Sequence, residues 1–139
     1  MMSNPGPGEC SDNLVVNATF HCHECSEVAA EIVFIPRGVD DARASRLPIN
    51  HDRLVVSEFI GVVYAVVQSS SAEVVKALKD VDPFRLYEID HEWAPFYCAH
   101  CRHSYCTNHW RGLPSFEEGG WYDCTYGYCP SGHKRIIDD

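Results

Sequence analysis

Cysteine and histidine gather in one stretch of this chain. From Cys98 the order is Cys98-x2-Cys101-x4-Cys106-x2-His109, then a longer gap, then Cys124-x4-Cys129-Pro130-x2-His133. A Cys-x2-Cys turn sets two sulfurs on one ion, and thiolates with imidazoles at such short spacings are what a tetrahedral zinc requires. A further pair, Cys22-x2-Cys25, stands near the start. The expected metal ligands are therefore Cys22, Cys25, Cys98, Cys101, Cys106, His109, Cys124, Cys129 and His133, serving two zinc ions per chain. Buried free cysteines with surface histidines are the bland alternative. The polar Arg, Asn, Ser and Asp residues interleaved with them weigh against it.

Two divisions of the ligands fit the spacing. One joins Cys22, Cys25, Cys98 and Cys101 in a four-thiolate site that staples the two ends of the chain together. Cys106, His109, Cys129 and His133 then surround a second ion, and Cys124 is left over. The other division is local, with Cys98, Cys101, Cys124 and Cys129 around one ion.

The elements that must hold these residues point to an α+β domain. Residues 1–11 are Pro-, Gly- and Ser-rich and read as a disordered tail, with Cys10 a bystander at its edge. The single zinc-binding domain is expected over 12–139, as an α+β part (12–92) and a finger-like part (93–139). Leu14 to Phe20 and Val28 to Ile35 have strand character, and the Cys22 pair between them sits where a hairpin tip would be. Residues 37–52 are polar and read as a surface loop. Leu54 to Val67 is strongly β, and Gly61 implies a bend or a break into two strands. The expectation is a small antiparallel sheet over 14–67.

Ser70 and Glu73 have capping-box spacing, and Val74, Val75, Ala77, Leu78 and Val81 form one helical face. Asp82-Pro83 suits the start of a second helix carrying Phe84 and Tyr87 inward. Trp93, Phe96 and Tyr97 lead into the cysteines as an aromatic plug, and the remainder is expected to be loop-rich and zinc-bound. Trp110, Trp121, Tyr122, Tyr126 and Tyr128 crowd that region, as core filling or as a docking surface.

Composition narrows the function. The net charge is −9, with eleven Lys and Arg scattered through the chain. A nucleic-acid partner is disfavoured, because phosphate neutralisation needs a basic face and only Lys134-Arg135 forms a basic pair. No apolar run is long enough to span a membrane, and no secretory signal is evident. A cytoplasmic location with reduced thiols is the expectation.

Three function classes remain. The first is a structural-zinc protein that acts through contacts with a protein partner, without catalysis at the metal. The second is a zinc-dependent hydrolase or deaminase with an open metal position. Cys22-His23-Glu24 with Pro95-x2-Cys98-x2-Cys101 has something of the deaminase pattern, Glu24 being the proton shuttle. The third is a nucleic-acid-binding finger. A redox role for a Cys-x2-Cys dithiol lacks the strand-to-helix setting it needs.

The string from Phe96 through Cys98, Cys101, Cys106 and His109 resembles B-box-like and other treble-clef or cross-braced zinc fingers. The resemblance covers this C-terminal segment only. It departs in the gap before Cys124, in the lone Cys124 itself and in the Cys-x3-His ending. It implies a small structural-zinc module that docks another protein, with ligands at Cys98, Cys101, Cys106 and His109.

Overall fold

The computed structural model describes residues 14–58, 61–116 and 119–138. The tail expected over 1–11, with Cys10, lies outside them. The architecture is the expected α+β one. Four antiparallel strands, β1 (Val16–His21), β2 (Val28–Ile35), β3 (Asp52–Glu58) and β4 (Gly61–Val67), form a meander in chain order. The Leu54–Val67 run breaks into two strands, and Gly61 takes φ +151 where the second begins.

Register explains which side is buried. Ala18 pairs with Ile32, Ile32 with Val56, and Val56 with Val63, so one face is apolar across all four strands. Two helices cover that face, α1 (Ser71–Lys79) and α2 (Pro83–Ile89), through Val74, Ala77, Leu78 and Leu86. Burying a side chain of the Leu or Ile class contributes about 2–3 kcal/mol. Ser70 sits at the cap of α1, but its side chain makes no capping hydrogen bond. The Ser71 hydroxyl instead donates to Asp52 at 2.6 Å, fixing the helix start to β3. Val81 leaves the apolar stripe, because it adopts φ +50 beyond the helix end and stays exposed. The second helix starts as expected, with Asp82 accepting from the Arg85 N–H and Pro83 in its first turn.

The other face of the sheet is covered more lightly, by residues 36–51. Ile35, Ala44 and Val55 form a small second core there. Arg53, 2% exposed, anchors this loop: its guanidinium donates to the carbonyls of Pro36, Val39 and His51 at 2.6–2.9 Å.

The C-terminal part is richer in strand than a loop-rich segment. A two-stranded ribbon, β5 (Tyr97–Cys98) and β6 (His103–Ser104), is followed by a three-stranded sheet of β7 (Arg111–Phe116), β8 (Tyr122–Tyr128) and β9 (Lys134–Asp138). Cys101, Cys106 and Cys129 occupy the segments between strands, Cys98 ends β5 and Cys124 lies within β8. Phe96 and Tyr97 are fully buried against the main core, and the Phe96 ring lies 5.1 Å from Phe20. Arg135 ties the small sheet to this plug, donating through Nη1 to the carbonyls of Ala94 (2.9 Å) and Tyr97 (2.7 Å).

Candidate metal centres

Each pair of candidate ligands sits in a tight turn. Cys22 and Cys25 lie at the tip of the β1–β2 hairpin, where the Ser26 N–H donates to the Cys22 carbonyl at 2.9 Å. Cys98 and Cys101 repeat this turn between β5 and β6, with the Arg102 N–H donating to the Cys98 carbonyl at 2.8 Å. In both turns the residue after the second cysteine takes a left-handed conformation, φ +66 at Ser26 and +63 at Arg102. Cys106 and His109 share a turn closed by the Trp110 N–H on the Cys106 carbonyl. Cys129 and His133 flank the β8–β9 connection, where Gly132 supplies φ +89.

The structure brings these pairs together in an alternating order. Cys22, Cys25, Cys106 and His109 form one cluster, and Cys98, Cys101, Cys129 and His133 form the other. Neither division allowed by the spacing is the one found. The first pair joins the third, and the second joins the fourth. The physical reason is the short β5–β6 ribbon. The backbone bond from the His23 N–H to the Ser104 carbonyl (2.8 Å) lays the first turn beside the end of this ribbon, which leads directly into Cys106. Cys124 joins neither cluster. It is buried in β8, with its sulfur 3.8 Å from an Asp123 carboxylate oxygen.

Within the first cluster, Cys22 Sγ lies 3.5 Å from His109 Nδ1, Cys106 Sγ lies 3.3 Å from the same nitrogen, and Cys25 Sγ lies 3.5 Å from Cys106 Sγ. In the second, His133 Nδ1 lies 3.2 Å from Cys101 and 3.3 Å from Cys129, and the latter two sulfurs are 3.6 Å apart. Sulfurs about 2.3 Å and nitrogens about 2.0 Å from a tetrahedral zinc stand roughly 3.5–3.8 Å from one another. The spacings fit that donor set and are far too long for disulfides, whose sulfurs lie about 2.0 Å apart. Each cluster could hold one metal ion, and the three-sulfur, one-nitrogen set is compatible with zinc.

The surroundings favour thiolate unevenly. Burial opposes charge on Cys22, but the N–H groups of Cys106, Cys25 and Glu24 outweigh it and bring the thiol down to about 7. Burial likewise opposes charge on Cys101, yet hydrogen bonds from the Tyr105 and Ser131 hydroxyls and its contacts with Cys129 and His133 lower it to about 6. Burial pushes Cys98 up to about 11 despite the N–H groups of Cys101 and His100. For Cys25, the Glu27 N–H favours the thiolate, but burial and the neighbouring Cys106 and Cys22 sulfurs raise it to about 11. Three sulfurs within 4.8 Å of one another cannot all carry charge unaided. A divalent cation among them removes the repulsion.

Groups outside the clusters hold the ligands in place. Tyr105 is buried next to Cys106 while its hydroxyl reaches Cys101, so it belongs to both surroundings. Trp110, buried beside His109, donates from Nε1 to the Phe96 carbonyl at 2.8 Å. His100 stacks on His133 with ring centres 4.7 Å apart. Such contacts fix ligand orientation and are as much part of a metal site as the ligands. Spacing alone could not single out Tyr105, since tyrosine is not a ligand and its role depends on the fold.

The family model described as "Domain of unknown function (DUF8328)" matches residues 12–139. No curated protein and no solved structure matches the chain.

Proposed function

The chain belongs to the DUF8328 family, whose description assigns no activity, and from the site geometry we propose that it is a structural-zinc protein acting through contacts with a protein partner. Two zinc ions serve as internal fasteners, one in each cluster. The interleaving of ligand pairs supports reading the zinc region as a cross-braced finger into which most of the α+β unit, from β2 to α2, is inserted between Cys25 and Cys98. The observation that carries the proposal is the closed donor set. Each cluster presents four protein ligands, and a catalytic zinc needs a position left for water.

A deaminase-like site fits the arrangement poorly. It would need Cys22, Cys98 and Cys101 on one ion, and these residues fall in different clusters. A nucleic-acid surface at Lys134-Arg135 also lacks support. The Lys134 ammonium lies 4.0 Å from the Tyr126 ring centre, and Arg135 is spent on backbone carbonyls. Among the described residues no helix is long and apolar enough to cross a membrane.

Metal analysis of protein purified without added zinc tests the proposal. Two zinc ions per chain are expected, and Cys124→Ser should retain both. A single ion per chain, or X-ray absorption showing an oxygen in the zinc shell, would overturn the closed-site reading.

A further inference from the structure

We propose that β4 is an interface with a second copy of this chain, the two main sheets joining edge to edge into one continuous sheet. Among the described residues β4 pairs with β3 alone, so its outer side carries the unpaired N–H and C=O groups of an edge strand. Such edges are ordinarily blunted by charge, proline, a bulge or a covering element. The edge at β1 is protected in this way. Asn17, Thr19 and His21 are exposed along it, its pairing with β2 shifts between Phe20 and His21, and α1 packs over it. β4 has neither charge, proline nor bulge. From Gly61 to Val67 it reads Gly-Val-Val-Tyr-Ala-Val-Val and pairs with β3 in unbroken register.

The side chains of β4 stop part-way to burial. Val62 is 48% exposed, and Val63 to Val66 are half-buried. Val63 and Ala65 lean on the main core and Tyr64 on the smaller one, so both faces stay apolar up to the edge. A strand added there extends both cores at once. The edge is separated by β2 and β3 from β1, which leads into Cys22. This inference therefore goes beyond the zinc reading and does not rest on it.

The order of residues selects a second copy over a foreign strand. Val62-Val63-Tyr64-Ala65-Val66 reads nearly alike in both directions. A two-fold axis through Tyr64 sets Val62 opposite Val66 of the copy, Val63 opposite its Ala65, and Tyr64 opposite its Tyr64, each pair on one face. Pairs of β-branched and aromatic side chains at such positions stabilise a sheet. Charge permits the meeting. A net charge of −9 repels a second copy over most of the surface, but β4 is neutral, and the cation Arg46 lies 5.2 Å from the Tyr64 ring centre. A copy approaching here meets no acid from the strand itself.

Sedimentation equilibrium of the zinc-loaded, full-length chain tests the interface. The mass should rise with concentration from 15.7 kDa toward twice that value, with amide exchange slowed at Val62–Val66 and unchanged at Val16–His21. Val62→Lys and Val66→Glu should each weaken self-association by roughly tenfold or more, since each places a charge within an apolar strand pair. Mixed together, the two variants should pair again, because the introduced ammonium then faces the introduced carboxylate. Both should keep the metal content and circular dichroism of the parent, which separates lost pairing from lost folding. A chain that stays monomeric at every concentration overturns the interface, even where a valine-rich strand peptide protects the same amides. So do a dimer whose protected amides lie outside β4, and a mixture of the variants that stays apart. Two zinc ions in a monomeric chain remove the interface and keep the proposed function. A dimer protected at β4 that holds no zinc does the reverse.

Discussion

The Cys22 sulfur and the His109 Nδ1 nitrogen lie 3.5 Å apart although they are 87 positions apart in the chain. The stretch closed by the first cluster thus takes in β2 to β4 and both helices. The second draws on Cys98 to His133 and is local to the C-terminal part.

Removing a ligand from each cluster should therefore give different damage. Cys106→Ser should leave one zinc ion and raise amide exchange around Cys22–Val28, where the β1–β2 tip loses its fastening. Cys129→Ser should also leave one, with exchange rising across Tyr122–Asp138 and the four-stranded sheet protected. A structural zinc site supplies on the order of ~10 kcal/mol of folding free energy, so both effects should be large. Loss of both ions from either variant would mean that the sites are occupied as one unit.

Arg135 joins the small sheet to the aromatic plug by a forked pair of bonds from Nη1, to the Ala94 and Tyr97 carbonyls. Nε and Nη2 also reach the Ile136 and His91 carbonyls at 3.3 Å, a spread of donors that a single ammonium nitrogen cannot reproduce. Arg135→Lys should lower the stability of the zinc-loaded protein by about 2 kcal/mol, because carbonyls of this set lose their donor. Denaturant titration reads the loss, and the zinc content should stay at two. An unchanged midpoint would show that the fork carries no stability.

Asp41 caps the 3-10 turn Ala42–Ala44 and pairs with Arg43 at 2.7 Å. Hydrogen bonds from the Arg43 side chain and N–H hold its carboxyl at about 2, below the ordinary value of 3.8. A carboxyl depressed by folding stabilises above its unfolded pKa and loses that contribution as pH falls toward the folded one. Asp41→Ala should cost about 1 kcal/mol at neutral pH, as a helix cap and a surface ion pair typically do. Comparing wild type and variant from pH 5 down to 2, the difference should shrink below pH 4. A difference that holds constant to pH 2 would mean that charge on Asp41 is not what matters.

The strands and helices were legible because their signals are local. The apolar run Val28 to Ile35 marks β2, Asp82-Pro83 marks α2, and Gly61 marks the break before β4. The ligand turns were legible for the same reason. Their partnership was not, since spacing fixes which two residues share a turn but not which two turns share an ion. That choice is made by contacts such as His23 N–H to Ser104 carbonyl, which exist only after the hairpin and the ribbon have met. Ser70 misled for a related reason: capping-box spacing was present, but the bond that fixes the helix start comes from Ser71 to Asp52, across the fold. Likewise the aromatic cluster read from sequence splits in space, with Trp110 buried and Trp121 exposed.

Alternation of the ligand turns also sets an order in time. On the ribosome, Cys22 and Cys25 emerge with the first strands and can wrap into the sheet while Cys106 and His109 are still unwritten. The first fastener can engage only after the sheet and both helices have been synthesised, and the second waits for His133, the last of the eight clustered ligands. A nascent chain halted before that point would present paired thiols with no complete set to close on, open to stray metals and oxidants.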